Sequence, residues 1–373
     1  MKDRRFHYVD AARGIAVLLV IYGHTFRESM RAAYAWCDFS YALVYRFHVS
    51  LLFLLSGFGY ALTLEKNKTL TEWRYLGKKA KALLLPWFSY SVLIYVIFVT
   101  AQLFAPCRAL LENTAYQKIP PAKYLAAMLK NENPYSFHLW YLQTLFLFTA
   151  VTFLKDKFLS EKYARRAAIL LILALPAFYM LFCRDWVWIF KGFFQKYLFF
   201  LLGTLLVREK VEKKAGILAA AGACSFVALV LEICFLPVEI YDNPYIDLGM
   251  SYVDNAITVG ICLGILAVCI LWNRYLGRLA QFGRNTMRYY LYHQPFCCAL
   301  LGMLLYEKLH FSAVATVAAC MVSAIALPWL FGKLIRLCRL DDIFRKIGLR
   351  SEQTGKRKGK RWCDERSGNN DKQ

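Results

Sequence analysis

Arg13 and His24 are the first residues in the chain whose types and spacing could do chemistry. They lie eleven residues apart. At about 100° per residue, that closes to within roughly 20° of one helical face, with a rise of about 16 Å. Histidine can take a proton near neutral pH, and an arginine on the same face can neutralise phosphate or polarise a carbonyl. Asp10 precedes Arg13 by three residues, on a neighbouring face. The run from Val9 to His24 is otherwise mostly apolar, as a membrane helix is. Ionisable side chains in such a segment are costly and face a bundle interior or a wet cavity. A lone buried histidine is more often structural than catalytic. The aligned arginine is what argues for chemistry here.

Three further histidines occupy similar surroundings. His48 lies in Tyr45-Arg46-Phe47-His48-Val49-Ser50, at the depth of His24 if the two helices run in opposite directions. His138 opens Phe137-His138-Leu139-Trp140-Tyr141-Leu142, whose Trp and Tyr are residue types expected at a membrane–water interface. His293 precedes Gln294-Pro295, and Pro295 should bend its helix and free a carbonyl nearby. By residue count His293 lies nearer the inner side than His24, which argues against one compact cluster unless this helix is tilted or broken. Ser56-Gly57 reads as a helix-packing notch. Arg74, Lys78, Lys79 and Lys81 form a basic cluster just before Leu83-Leu84-Leu85-Pro86. Such a cluster is first a topology signal and a lipid-headgroup contact, and it would also suit a phosphate-rich ligand. No metal-ligand spacing occurs, and the 12 cysteines form no CxxC pair.

The elements that must position these groups are membrane helices. The chain is 59% hydrophobic, against about 45–50% for soluble proteins. Apolar runs of spanning length predict an all-α, polytopic integral membrane bundle of about ten transmembrane helices. They run roughly over residues 13–30, 42–64, 83–105, 138–154, 167–182, 188–207, 215–235, 256–272, 287–306 and 311–335. The expected division is a membrane domain over 1–340 and a basic, disordered cytoplasmic tail over 341–373. The first span is too polar at its start for a removable signal peptide, and it lacks a small-residue cleavage pattern. The N-terminus, the alternate connections and the tail hold 34 of the 47 basic residues, against eight in the opposite set. The positive-inside rule then places both termini in the cytoplasm of a multi-pass cell-membrane protein. The net charge of +22 is concentrated where anionic lipid lies, so membrane lipids are the expected partner and nucleic acid is not. The outer connection 236–253 carries Glu239, Asp242, Asp247 and three tyrosines, a mix that suits a sugar. Its lack of Lys and Arg is equally what the topology rule predicts.

Taken together, these residues resemble acyltransferase family 3. The resemblance rests on Asp10-x-x-Arg13-Gly14 followed by His24, and on Phe47-His48-Val49 leading to Phe53-Leu54-Leu55-Ser56-Gly57-Phe58. It continues through the basic loop ending in Pro86, His138-Leu139-Trp140-Tyr141-Leu142 and Tyr292-His293-Gln294-Pro295, and covers the chain to about Asp341. That family comprises polytopic membrane enzymes that O-acylate surface polysaccharides, lipopolysaccharide and related glycans. The resemblance implies a cytoplasmic acyl-CoA, acetyl-CoA first of all, as co-substrate, with no bound cofactor and no metal. It also implies a glycan or lipid-linked acceptor hydroxyl on or near the outer side. Its arginine–histidine pattern falls on Arg13 and His24, and its basic motif on Lys78, Lys79 and Lys81. The family motif is commonly arginine-rich, and lysine lacks the planar fork that grips phosphate; Arg74 is a possible substitute. The C-terminal hydrolase-like domain of some members is not expected here.

The candidate site is therefore Asp10, Arg13, His24 and His48 for catalysis, with Lys78, Lys79, Lys81, Arg74, His138, Trp140 and His293 for substrate binding. A hydroxyl is a poor nucleophile at neutral pH, so acyl transfer from a thioester calls for a base poised near 7, which histidine supplies. Sequence leaves open whether His24 is a general base or carries the acyl group. The competing class is a transporter or flippase, since intramembrane ionisable residues and proline-broken helices also mark transport pathways. No internal repeat relates the halves of the chain, as a transporter's often would.

Overall fold

The computed structural model describes residues 6–349, apart from 113, 131, 184, 185, 187, 208, 210, 236–243, 339 and 340. Among the described residues every regular element is helical and no strand occurs. Leu173, Ile217, Leu231 and Val322 stand exposed, while His48, Thr144, His138 and His293 are buried. Apolar outside and polar inside is the arrangement a lipid solvent requires, since buried polar groups can pair only with protein. The chain is a multi-pass membrane protein built as a helical bundle.

Among the described residues seven helices are long and apolar enough to cross a membrane, where about ten were expected. Helix α1 (His7–Gly23) has only 17 residues. The Thr25 hydroxyl takes the Tyr22 carbonyl at 2.7 Å, and the chain turns into the short α2 (Glu28–Ala33). Then come α3 (Ala35–Lys68) and α4 (Glu72–Ala101), which have that length and apolarity, followed by the short helices α5 (Ala105–Leu111) and α6 (Pro121–Lys130). α7 (Trp140–Phe158) and α8 (Glu161–Phe178) also qualify, and α9 (Trp188–Leu206), which carries Lys191 and Lys196, follows. α10 (Ala215–Phe235) and α11 (Pro244–Leu271) complete a hairpin of spanning helices. After α12 (Gly277–Gly283) and α13 (Thr286–Tyr292) the ninth expected span breaks at Gln294, whose φ of −121° and ψ of 150° are not helical. α14 (Ala313–Leu337) is the last that qualifies.

Small residues bring the central helices together. A Cβ on Gly57 would stand 2.0 Å from the Phe200 carbonyl oxygen, and one on Gly203 would stand 2.0 Å from that of Leu54. α3 and α9 therefore touch backbone to backbone, the close approach that glycine permits in membranes. The expected notch at Ser56-Gly57 thus resolves: Gly57 packs, and Ser56 does not. Gly283 does the same for α12 on α1, where an added Cβ would lie 1.8 Å from the Asp10 carbonyl oxygen.

The first residues of the expected tail are described. α15 (Asp341–Lys346) is a helix, and Leu349 is buried against the bundle. Residues 351–373, with the basic run 356–361, lie outside the described residues, as does most of the acidic part of the outer connection at 236–243.

Candidate active site

The end of α1 that carries Asp10 and Arg13 opens onto a cavity of about 810 Å³, within the size range of small-molecule sites. Four cationic residues line it, Arg13, Lys78, Lys81 and Arg284, with one acid, Asp10. Asp10 is 2% exposed and reaches both arginines: Oδ1 lies 3.5 Å from Arg13 Nη1, and Oδ2 lies 3.5 Å from Arg284 Nε. Arg13 Nη2 also donates to the Leu55 carbonyl at 3.2 Å. Gly59 leaves that guanidinium its room, since a Cβ there would stand 2.7 Å from Nη2. Lys78 donates to Asn67 Oδ1 at 3.3 Å from the first turns of α4. Apolar walls from Leu52, Leu83, Leu142 and Met287 continue inward from these charges.

Ser56, Tyr141 and Tyr290 are the polar residues deeper in this lining. Ser56 Oγ and Tyr141 Oη are 2.8 Å apart, and the Tyr141 and Tyr290 rings lie 5.4 Å apart. The Tyr290 hydroxyl donates to the His138 carbonyl. The Tyr290 ring is 6.0 Å from that of His293 and 6.1 Å from that of His138. One layer of tyrosine therefore separates the basic cavity from a group of histidines.

That group is compact. The His293 ring centre lies 5.2 Å from His24 and 5.3 Å from His138. His24 caps the end of α1 and His138 sits on a short turn ahead of α7. His293 begins the irregular stretch after α13, with Nδ1 donating to the Tyr290 carbonyl at 2.8 Å. Depth counted along a straight helix put His293 too far inward, yet it meets His24 and His138 here, and the helix breaks at the next residue, Gln294. The Nε2 atoms of His138 and His293 are buried and make no hydrogen bond within the protein. A buried polar atom without a partner is rare and marks a place where another molecule can bond. His48 joins at one remove: its ring is 4.8 Å from Tyr45, whose hydroxyl lies 3.4 Å from His24 Nδ1. Its own Nδ1 donates to the Val44 carbonyl at 2.6 Å.

The family model for this acyltransferase domain matches residues 6–333. The chain belongs to acyltransferase family 3. The match spans α1 through most of α14, so it includes every histidine of the cluster and all four cations of the cavity. Searches of curated proteins and of solved structures gave no match.

Not every residue expected at the site of this acyltransferase reaches it. Lys78 and Lys81 line the cavity, but Lys79 does not. Its ammonium lies 5.5 Å over the ring of buried Tyr75, which is stacked on Phe153 at 3.8 Å. Arg74 is exposed in the first turn of α4, where its backbone N–H donates to the Thr71 hydroxyl at 3.4 Å. Trp140 faces α3 and α9, 5.9 Å from the Phe53 ring, where Gly192 makes room for it. Arg284, Tyr290, Tyr141 and Ser56 were not expected. A usable signal existed for two of them: Tyr141 and Tyr290 each lie three residues from a cluster histidine, close to one helical face.

Proposed function

We propose that this acyltransferase moves an acyl group, acetyl first of all, from cytoplasmic acyl-CoA to a hydroxyl of a cell-surface glycan, lipid-linked sugar or similar acceptor. The observation that carries the reading is one continuous arrangement: a cavity with four cationic residues, an apolar and tyrosine-lined interior, and a histidine cluster beyond. CoA has the matching anatomy, with phosphates at one end and a thin, nearly uncharged arm leading to the thioester. Lys78, Lys81 and Arg284 suit the phosphates, because charge-assisted bonds to phosphate are the strong ones. Asp10 acts on Arg13 and Arg284 as a positioning group. The excess of basic residues on the cavity's side supports a cytoplasmic donor and cytoplasmic termini.

In the proposed step the acceptor oxygen bonds to the thioester carbonyl carbon while His24 takes the hydroxyl proton. The carbon–sulfur bond breaks, and that proton leaves on the CoA thiol. The free Nε2 atoms of His138 and His293 suit hydrogen bonds to the acceptor or to the carbonyl oxygen. His48, through Tyr45, holds His24 in orientation. The test is acyl transfer by the purified protein in lipid from labelled acetyl-CoA to glycans of the host membrane. Label transferred by the parent and not by His24→Gln supports the reading; equal transfer by both overturns it.

A further inference from the structure

The family domain matches residues 6–333, yet the wall of the basic cavity is completed fifteen residues later, by Gly348. The segment 341–349 reaches that position through three separate anchors. The Phe344 ring lies 5.7 Å from Phe331 of α14. Leu349 is 4% exposed, and its carbonyl accepts a hydrogen bond from the Tyr292 hydroxyl at 3.1 Å. Gly348 meets α4 at the residues that follow the basic cluster: a Cβ there would stand 3.0 Å from Leu85 Cγ and from Pro86 Cδ. Its φ of +76° is in the left-handed region open to glycine, which lets the chain turn in against the cavity.

A segment resting on lipid-facing helices would need none of this. α4, α13 and α14 hold the segment, and α4 and α13 also contribute Lys78, Lys81 and Tyr290 to the cavity. We infer that residues 341–349 are a strap that forms one wall of the donor cavity and positions the nucleotide end of acyl-CoA beside Lys78 and Lys81. The inference rests on the donor reading given above. The strap makes the donor site extend beyond the family domain, so donor affinity depends on residues outside that domain.

Three proteins in lipid test this: the full chain, a chain ending after Leu349 and a chain ending after Cys338. Each is measured for equilibrium binding of CoA and for the KM of donor and acceptor. The chain ending after Leu349 keeps the strap and binds CoA as the parent does. The chain ending after Cys338 binds at least about tenfold more weakly, the scale set by removing one buried leucine anchor. Its donor KM rises in step, while acceptor KM and kcat at saturating donor stay near the parent's. Leu349→Asp in the full chain gives the same split and guards against a truncation that fails to fold. CoA binding like the parent's in both Leu349→Asp and the shorter chain overturns the strap. Equal loss in the chain ending after Leu349 also overturns it, since the effect then belongs to residues 350–373. If the full chain itself binds no CoA, the donor reading fails instead, which is a separate result.

Discussion

Two regions of this bundle concentrate charge inside the membrane domain, and they are built on opposite plans. In one, Arg46 of α3 reaches Asp254 of α11 at 3.0 Å and Glu232 of α10, and one turn further along α3 Lys196 donates to Ser50 at 3.3 Å. Two positive and two negative side chains balance there. In the other, Arg13, Lys78, Lys81 and Arg284 line a cavity that holds one carboxylate, Asp10. Burying charge is costly unless it is paired, so the first plan is what helix packing alone would produce. The second leaves a positive excess around an open volume, which packing does not require. Balance marks a joint between helices, and imbalance marks a place for an anion.

The largest expected effect lies beyond the unbalanced cavity. His24→Gln lowers kcat by at least about 10²-fold, the usual size of a general-base contribution, while expression and membrane insertion persist. Turnover under saturating donor and acceptor measures it. Near-parent turnover would reduce His24 to packing and leave the cavity with no chemistry to serve.

The balanced cluster should respond in the opposite way. Arg46→Ala strands two carboxylates and destabilises the protein by about 1–3 kcal/mol, between the scales of an exposed and a buried pair, since Arg46 and Asp254 are partly exposed. Thermal unfolding in detergent reads this as a lower Tm, with kcat per folded molecule near the parent's. Arg46→Leu combined with Glu232→Leu and Asp254→Leu recovers most of the loss, because no charge is then stranded. A stable Arg46→Ala protein with a raised donor or acceptor KM would move this cluster from joint to site.

Much of the fold was legible in the sequence, the Arg46 joint was not, and the failures have physical causes. The apolar runs gave the class, and the spacing of Arg13 and His24 put both on one helix, α1 and its C-cap. Among the described residues fewer helices than ten have full spanning length, because apolar content does not fix helix length: α1 stops at Gly23, and the ninth run breaks at Gln294. His293 meets His24 and His138 just before that break, which counting along a straight helix could not foresee. Lys79 was grouped with Lys78 and Lys81 because the segment was read as a loop. It is the start of α4, and at about 100° per residue Lys78 and Lys81 lie roughly 60° apart, while Lys79 is turned well away from Lys81. Arg284 was read only as a topology charge, because its partner Asp10 is 274 residues earlier and only the fold brings them together.

The next expected effect tests the unbalanced cavity directly. Lys78→Gln with Lys81→Gln raises the donor KM by about tenfold, roughly 1.4 kcal/mol of lost phosphate binding, and leaves acceptor KM and Tm near the parent's. Lys79→Gln, one residue from Lys78 but turned toward Tyr75, leaves the donor KM unchanged. The three lysines are sequence neighbours in one basic motif, so a general surface-charge effect would treat them alike. Equal effects from Lys79 and from the pair would make the motif a topology and headgroup device.

Salt gives the smallest effect, and it separates the two plans without a structural change. Lys78 and Lys81 are exposed at the mouth of the cavity, so mobile ions reach them. Screening acts over about 8 Å at physiological ionic strength and about 3 Å at 1 M. Raising salt should therefore increase the donor KM of the parent several-fold, and flatten in the Lys78→Gln, Lys81→Gln protein, whose screened charges are gone. Arg13 and Arg284 should contribute less to the slope, because Asp10 holds them at fixed distances beside the protein's own counter-charge. The Arg46 cluster should show no comparable response in Tm, since Arg46, Glu232 and Asp254 already face opposite charge within the bundle. A donor KM independent of salt in the parent would mean that the phosphates are not held by these exposed lysines. The grip would then lie with Arg13 and Arg284, deeper in the cavity, and the double lysine variant would confirm it by binding donor as the parent does.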